Sequence, residues 1–270
     1  FYEIITVTPG ITLLENRRHG LTAYVNQLRQ QVPHHQPAPL APATPATTAI
    51  PAAPANPSPL SMPENEGRAC VATIVMNANP FTLGHQYLVE TAAKACDTLH
   101  LFVLSEEKSS FPAAARYRLV QEGTAHLPHV VVHPGGPYLI SAATFPSYFI
   151  KDASAVNEIH CRLDLTLFGS RIAPALGISK RFIGEEPYCV TTRNYNETMK
   201  LLLPEMGIQV VEIPRLTNAT GWISASKVRA ALLENCPDLL SQLVPPSTLH
   251  YLLSEEGQQV VKRLQRDQRH

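Results

Sequence analysis

From residue 69 onward, short β-favouring apolar runs alternate with stretches whose apolar residues recur at helical spacing. The spacing predicts strands over 71–76, 99–104 and 130–132, with helices over 84–96 and 113–123 between them. Later strands are expected over 181–183 and 209–212, separated by a helix over about 194–203. Such alternation builds right-handed βαβ units, so the chain is constrained to an α/β class with a parallel sheet and flanking helices. In sheets of this kind ligands gather outside the carboxyl ends of the strands. Residues 138–174 are less regular, with a helix expected from 152 toward 167.

Two segments fall where such a sheet would bind something. The first strand runs into Met76-Asn77-Ala78-Asn79-Pro80-Phe81-Thr82-Leu83-Gly84-His85, and Ile223-Ser224-Ala225-Ser226-Lys227-Val228-Arg229 follows about 140 residues later. A strand, a tight turn and a helix start would aim unpaired backbone N–H groups and the positive helix end at an anion. Gly84 lacks the Cβ that would hold a nucleotide away from the backbone, and His85 would donate to an α-phosphate oxygen as charge grows there. Thr82 adds a smaller, uncharged donor, and Asn77, Asn79, Pro80 and Phe81 form the turn against which a nucleotide would lie. In the second segment Ser224 or Ser226 would cap a helix, with Arg229 one turn beyond Ser226, so hydroxyls, N–H groups and a guanidinium can converge on phosphate oxygens. Gly184 and Glu185 follow a later strand and are placed at the ribose, a metal or an acidic network. Arg116 or Arg118, on the helix behind the second strand, is a candidate contact to the nucleotide or an acyl phosphate. Chemistry on ATP is the expectation.

Any anion site must be local. The 270 residues carry 22 basic and 22 acidic side chains, which gives no global pull toward nucleic acid. No apolar run reaches the roughly 20 residues that span a bilayer, and a basic, then apolar N-terminal leader is missing, so a soluble cytoplasmic protein without membrane contact is expected. Cys70, Cys96, Cys161, Cys189 and Cys236 are widely spaced without a CxxC pair, which suggests neither a disulfide framework nor a zinc site. Residues 32–66 are Pro/Ala-rich and hold ten of the 24 prolines, so they read as a disordered, extended linker. Before it, a β-favouring run over 2–7 and a short helix over 21–30 read as the end of an earlier domain.

Thr82-Leu83-Gly84-His85 and Ile223-Ser224-Ala225-Ser226-Lys227-Val228-Arg229 match the (T/H)xGH and ISxSxxR patterns of the nucleotidylyltransferase superfamily, whose fold is a Rossmann-like parallel sheet. The neighbouring segments carry the resemblance further. Phe145-Pro146-Ser147-Tyr148-Phe149-Ile150-Lys151-Asp152, Phe182-Ile183-Gly184-Glu185-Glu186-Pro187, Tyr195-Asn196 and Val211-Glu212-Ile213-Pro214-Arg215 look like bacterial citrate lyase ligase, also called citrate lyase synthetase. That resemblance implies activation of acetate by ATP to acetyl-adenylate and pyrophosphate. Transfer follows to the thiol of a CoA-like prosthetic group on the citrate lyase acyl carrier subunit. It implies that His85 and Thr82 stabilise the transferring adenylyl group, while Ser224, Ser226 and Arg229 hold the departing pyrophosphate. Mg2+ is expected with ATP, its protein ligands unassigned. The 145–152 segment with Lys151 becomes the candidate for acyl or thiol-arm recognition. Residues 1–31 become the remnant of an upstream acetyltransferase-like domain, 67–255 the catalytic domain and 256–270 a polar tail. The rival expectations are a coenzyme-forming adenylyltransferase acting on a phosphate monoester and a noncatalytic nucleotide-sensing module.

Overall fold

A computed structural model describes residues 1–31, 69–146, 155–219 and 221–267. The expected linker and most of the 145–152 segment, Lys151 included, lie outside the described residues. Five parallel strands form the main sheet: β3 (Val71–Met76), β4 (Thr98–Val103), β5 (Val130–Pro134), β6 (Lys180–Gly184) and β7 (Gln209–Ile213), in the spatial order β5-β4-β3-β6-β7. The chain builds outward from β3 to one edge, then returns to β6 on the other side. The order therefore reverses between β3 and β6, and the crevice above that junction is where an open α/β sheet offers a ligand site.

Strand alternation explains the two cores. Ala72, Ile74 and Met76 of β3 and Leu99, Leu101 and Val103 of β4 face one side, while Val75 and Phe102 face the other. The first face is covered by α2 (Leu83–Ala93) and α3 (Ala113–Thr124). The second is covered by α1 (Gly20–Gln30), α4 (Ala155–Leu167) and α5 (Val190–Glu205). Each large side chain buried fully in these layers contributes about 1.5–3 kcal/mol.

The N-terminal stretch is a hairpin, β1 (Glu3–Thr8) with β2 (Ile11–Glu15), followed by α1. Ile5, Leu21 and Leu28 join Phe102, Phe145 and Leu165 in one buried cluster, and the Tyr24 hydroxyl donates to the Gly135 carbonyl at 2.8 Å. A small two-stranded ribbon, β8 (Thr217–Asn218) with β9 (Gly221–Trp222), then leads into α6 (Ala225–Leu233).

The chain ends differently from the expected polar tail. After α7 (Pro246–Leu253), residues 255–267 form α8 (Glu255–Asp267), whose Gly257, Val260 and Val261 are buried. Val260 and Val261 belong to the same core as Leu232, Tyr251 and Leu252. The apolar stripe is narrow, and the charged residues around it dominate the local composition. No described helix is long and apolar enough to cross a membrane.

Two histidines are buried together beneath the sheet. His100 Nδ1 lies 2.9 Å from His133 Nε2, and His133 Nδ1 lies 2.7 Å from the Gln31 side-chain oxygen. Burial pushes His100 from the ordinary 6.5 down to about 4. Burial, then the adjacent His100, pushes His133 down to about 3. Both are neutral in the folded protein, whereas the unfolded chain takes up protons on them below the ordinary value. Their contribution to stability is therefore complete above that value and is lost as pH falls toward the folded values. We expect stability to drop by up to roughly 1.4 kcal/mol per pH unit for each histidine in that window. Urea midpoints measured at about pH 7 and about pH 5 should separate more for the wild type than for His133→Gln; equal separations would contradict this.

Candidate active site

The loop after β3 is held from below. Arg116 of α3 is fully buried, and its guanidinium donates to the carbonyls of Asn77 (2.9 Å), Leu104 (2.7 Å), Glu106 (2.6 Å) and Phe111 (3.0 Å). It also donates to the Asn77 side-chain oxygen at 2.8 Å. Every polar atom of this side chain is thus directed at protein acceptors. The expectation that Arg116 contacts a phosphate is corrected: it ties the ends of β3 and β4 together. Arg118 pairs instead with Glu256 at 2.8 Å on the surface. Asn79 accepts from the Phe111 N–H at 2.9 Å through its side chain. Pro80, joined to Asn79 by a cis peptide, is buried, as is Phe81. Phe81 is a floor beneath the site rather than a wall of it, with its ring stacked at 5.8 Å on His85.

Thr82 caps α2. Its hydroxyl accepts from the His85 backbone N–H at 3.2 Å, and its own N–H donates to His85 Nδ1 at 3.1 Å, so each residue satisfies the other's otherwise unpaired donor. The Thr82 hydroxyl also lies 2.9 Å from Nδ1. A backbone N–H can only donate, so Nδ1 accepts and the imidazole proton sits on Nε2. Thr82 itself is 1% exposed, which corrects its expected role: it orients His85 instead of offering its own hydroxyl to a ligand. Burial, then the charge of nearby Arg215, pushes His85 down from 6.5 to about 4, so it is a neutral donor at ordinary pH.

The second motif closes directly on the first. Ser224 caps α6, accepting from the Lys227 N–H at 3.2 Å. Of the two serines left open by the sequence, Ser224 is the cap, and Ser226 is exposed. A Cβ added to Gly84 would lie 3.0 Å from the Ile223 carbonyl oxygen. The glycine therefore admits the backbone of the second motif, where the sequence suggested it admits a nucleotide. Arg229 completes the junction by donating from Nη1 to the Asn79 carbonyl at 2.5 Å, while its Nη2 lies 3.3 Å from the Ser226 hydroxyl. Two helix N-termini, a neutral imidazole N–H, a hydroxyl and a guanidinium thus share one end of the sheet. Such a set can bind and stabilise phosphate charge; it supplies no activated nucleophile.

Gly184 ends β6 across the strand-order reversal, and its carbonyl accepts from the Asn196 side chain at 3.3 Å. Glu185 turns its carbonyl to the Arg215 Nε at 2.7 Å. Arg215 follows β7 and also pairs with Glu186 at 2.6 Å. From sequence Arg215 enters only as the end of the 211–215 segment, without a role, although its place just past a strand's carboxyl end is a usable indication. Phe145, expected within the acyl-recognition segment, is fully buried against Tyr195 at 5.3 Å and serves as core. Among the described residues no group of three or more His, Cys, Asp or Glu side chains could hold a metal ion.

The family profile of the citrate lyase ligase C-terminal domain matches residues 71–252. The [citrate [pro-3S]-lyase] ligase of Klebsiella pneumoniae is 48% identical over 257 residues, covering 94% of this chain and 66% of that protein. The ligase of the same name from Escherichia coli (strain K12) is 48% identical over 187 residues, covering 67% of this chain and 53% of that protein. The chain thus spans between about half and two thirds of the length of these curated relatives. Among solved structures, a bifunctional NMN adenylyltransferase/ADP ribose pyrophosphatase from Francisella tularensis aligns with a TM-score of 0.49 at 15% identity, covering 75% of this chain and 53% of that one. On the extent of the family match and the identity to these relatives, the chain belongs to the citrate lyase ligase family.

Proposed function

We propose that this chain is an AMP-forming acid–thiol ligase that acetylates the prosthetic-group thiol of the citrate lyase acyl carrier subunit through acetyl-adenylate. The observation that carries the reading is the junction of the two motifs, Gly84 against Ile223 and Arg229 on Asn79, which gathers phosphate-directed donors at the strand-order reversal. Relatives whose names specify ligation to citrate lyase supply the acceptor.

In the first step a carboxylate oxygen of acetate attacks the α-phosphorus of ATP. That P–O bond forms as the bond to the bridging oxygen breaks, and pyrophosphate leaves with the electron pair. Acetate is already ionised, so the site needs alignment and charge stabilisation rather than a base. The His85 Nε2–H would stabilise the α-phosphoryl oxygens, with Arg229, Ser226 and the N–H groups of α6 on the leaving pyrophosphate. Mg2+ brought in with ATP would neutralise phosphate charge. In the second step the carrier thiolate attacks the acyl carbon, the C–S bond forms, AMP departs and the thiol proton passes to solvent.

The rival adenylyltransferase reading requires a second basic subsite for a phosphate monoester. Its candidate arginines are already engaged: Arg116 inside the core, Arg118 with Glu256, and Arg193 with the Glu186 and Pro187 carbonyls. Incubating this chain with ATP, acetate and deacetylated citrate lyase should restore lyase activity and consume ATP to AMP. A lyase left deacetylated with an intact upstream acetyltransferase-like domain also present would contradict the acceptor assignment.

A further inference from the structure

The cluster beyond β6 and β7 uses groups that the phosphate site does not. Arg215 is fixed on two sides: Nε donates to the Glu185 carbonyl at 2.7 Å and Nη2 to a Glu186 carboxylate oxygen at 2.6 Å. Its side chain is only 17% exposed. Glu186 is itself anchored, its other oxygen accepting from the N–H groups of Tyr188 (3.0 Å) and Cys189 (3.1 Å). The guanidinium is therefore held in place before any ligand arrives, with Nη1 making no hydrogen bond to a described residue. An exposed aromatic pair stands next to it. The Arg215 guanidinium lies 5.9 Å from the Tyr188 ring centre, and Tyr188 meets Trp222 edge-on at 5.2 Å. Both rings are open to solvent, at 61% and 38% exposed, although aromatic side chains of this size are ordinarily covered. Trp222 lies two residues before the Ser224 cap of α6, and the charge of Arg215 reaches His85, which places the cluster beside the phosphate site.

An oriented guanidinium whose Nη1 bonds to no described residue, next to exposed aromatic side chains, suits a small acid with a charged head and a short apolar tail. We propose that Arg215, positioned by Glu186, binds the carboxylate of the acyl substrate, and that Tyr188 and Trp222 wall its alkyl end. This rests on the carboxylate-activation reading above and names the subsite that reading leaves open.

The test is exchange of labelled pyrophosphate into ATP, with acetate and then propionate as the acid. Arg215→Ala should raise the KM for acetate about 10- to 100-fold, the loss expected for a charged hydrogen bond, and leave the KM for ATP within about threefold. Trp222→Ala should shift the propionate-to-acetate preference by roughly tenfold toward propionate. A rise confined to the KM for ATP would make the cluster part of the nucleotide site and overturn the proposal. If Arg215→Ala does not fold, Trp222→Ala decides: an unchanged acid preference overturns the proposal. Absence of acetate-dependent exchange in the wild type would instead refute the carboxylate-activation reading itself.

Discussion

Replacing His85 with alanine is expected to lower the rate of acetate-dependent pyrophosphate exchange by about 100-fold or more, the loss typical of a donor to transition-state charge. The substitution removes two things at once. One is the Nε2–H; the other is the acceptor for the Thr82 backbone N–H at 3.1 Å. His85→Gln separates them, since glutamine at the third helical position can reach back to the cap residue as histidine does here. Both variants should lose activity, while only the alanine variant should lose roughly 1 kcal/mol of stability with the cap. Because burial holds His85 down at about 4, the wild-type pH profile should show no break from this imidazole near its ordinary 6.5. A His85→Ala protein with activity within a few-fold of wild type would remove His85 from the chemistry.

Arg116→Met is expected to cost more than about 3 kcal/mol in urea unfolding, even though methionine fills much of the same volume. The reason is the set of acceptors it would abandon. The carbonyls of Asn77, Leu104, Glu106 and Phe111 all lie under or beside the active loop and would lose that donor, those of Leu104 and Phe111 in buried surroundings. Activity should fall as well, through displacement of Asn77 and Asn79. The discriminating result is the order of effects: destabilisation is primary. A variant of wild-type stability with weakened ATP binding would return Arg116 to the role of phosphate contact that its structure denies it.

Periodicity made the sheet legible. The strands expected over 71–76, 181–183 and 209–212 agree with β3, β6 and β7 to within one residue at either end. Parallel strands buried on both faces are nearly continuous apolar runs and stand out against their polar connections. The second motif was legible as a capped helix start, with Ser224 and Ser226 left open until the structure made Ser224 the cap and set the Ile223 carbonyl against Gly84. Less legible were residues whose role depends on distant partners. Arg116 reads as a contact to the nucleotide or an acyl phosphate until the carbonyls around it are known, and Gly84 reads as space for a ligand until Ile223 occupies it. The final helix failed to register because Gly257, Val260, Val261 and the partly buried Leu264 make a narrow inward stripe among its charges. Arg215 and the Tyr188–Trp222 pair are brought together from the ends of two strands and a ribbon, a juxtaposition no linear pattern encodes.

The central claim is that the joined motifs activate a carboxylate at the α-phosphate of ATP. The most direct measurement is incorporation of labelled pyrophosphate into ATP by this chain, with and without acetate, compared with Arg229→Ala. Exchange is expected to require acetate and to collapse in Arg229→Ala, which removes the donor to the Asn79 carbonyl. Exchange that proceeds equally without any carboxylate, or that survives Arg229→Ala undiminished, would contradict it.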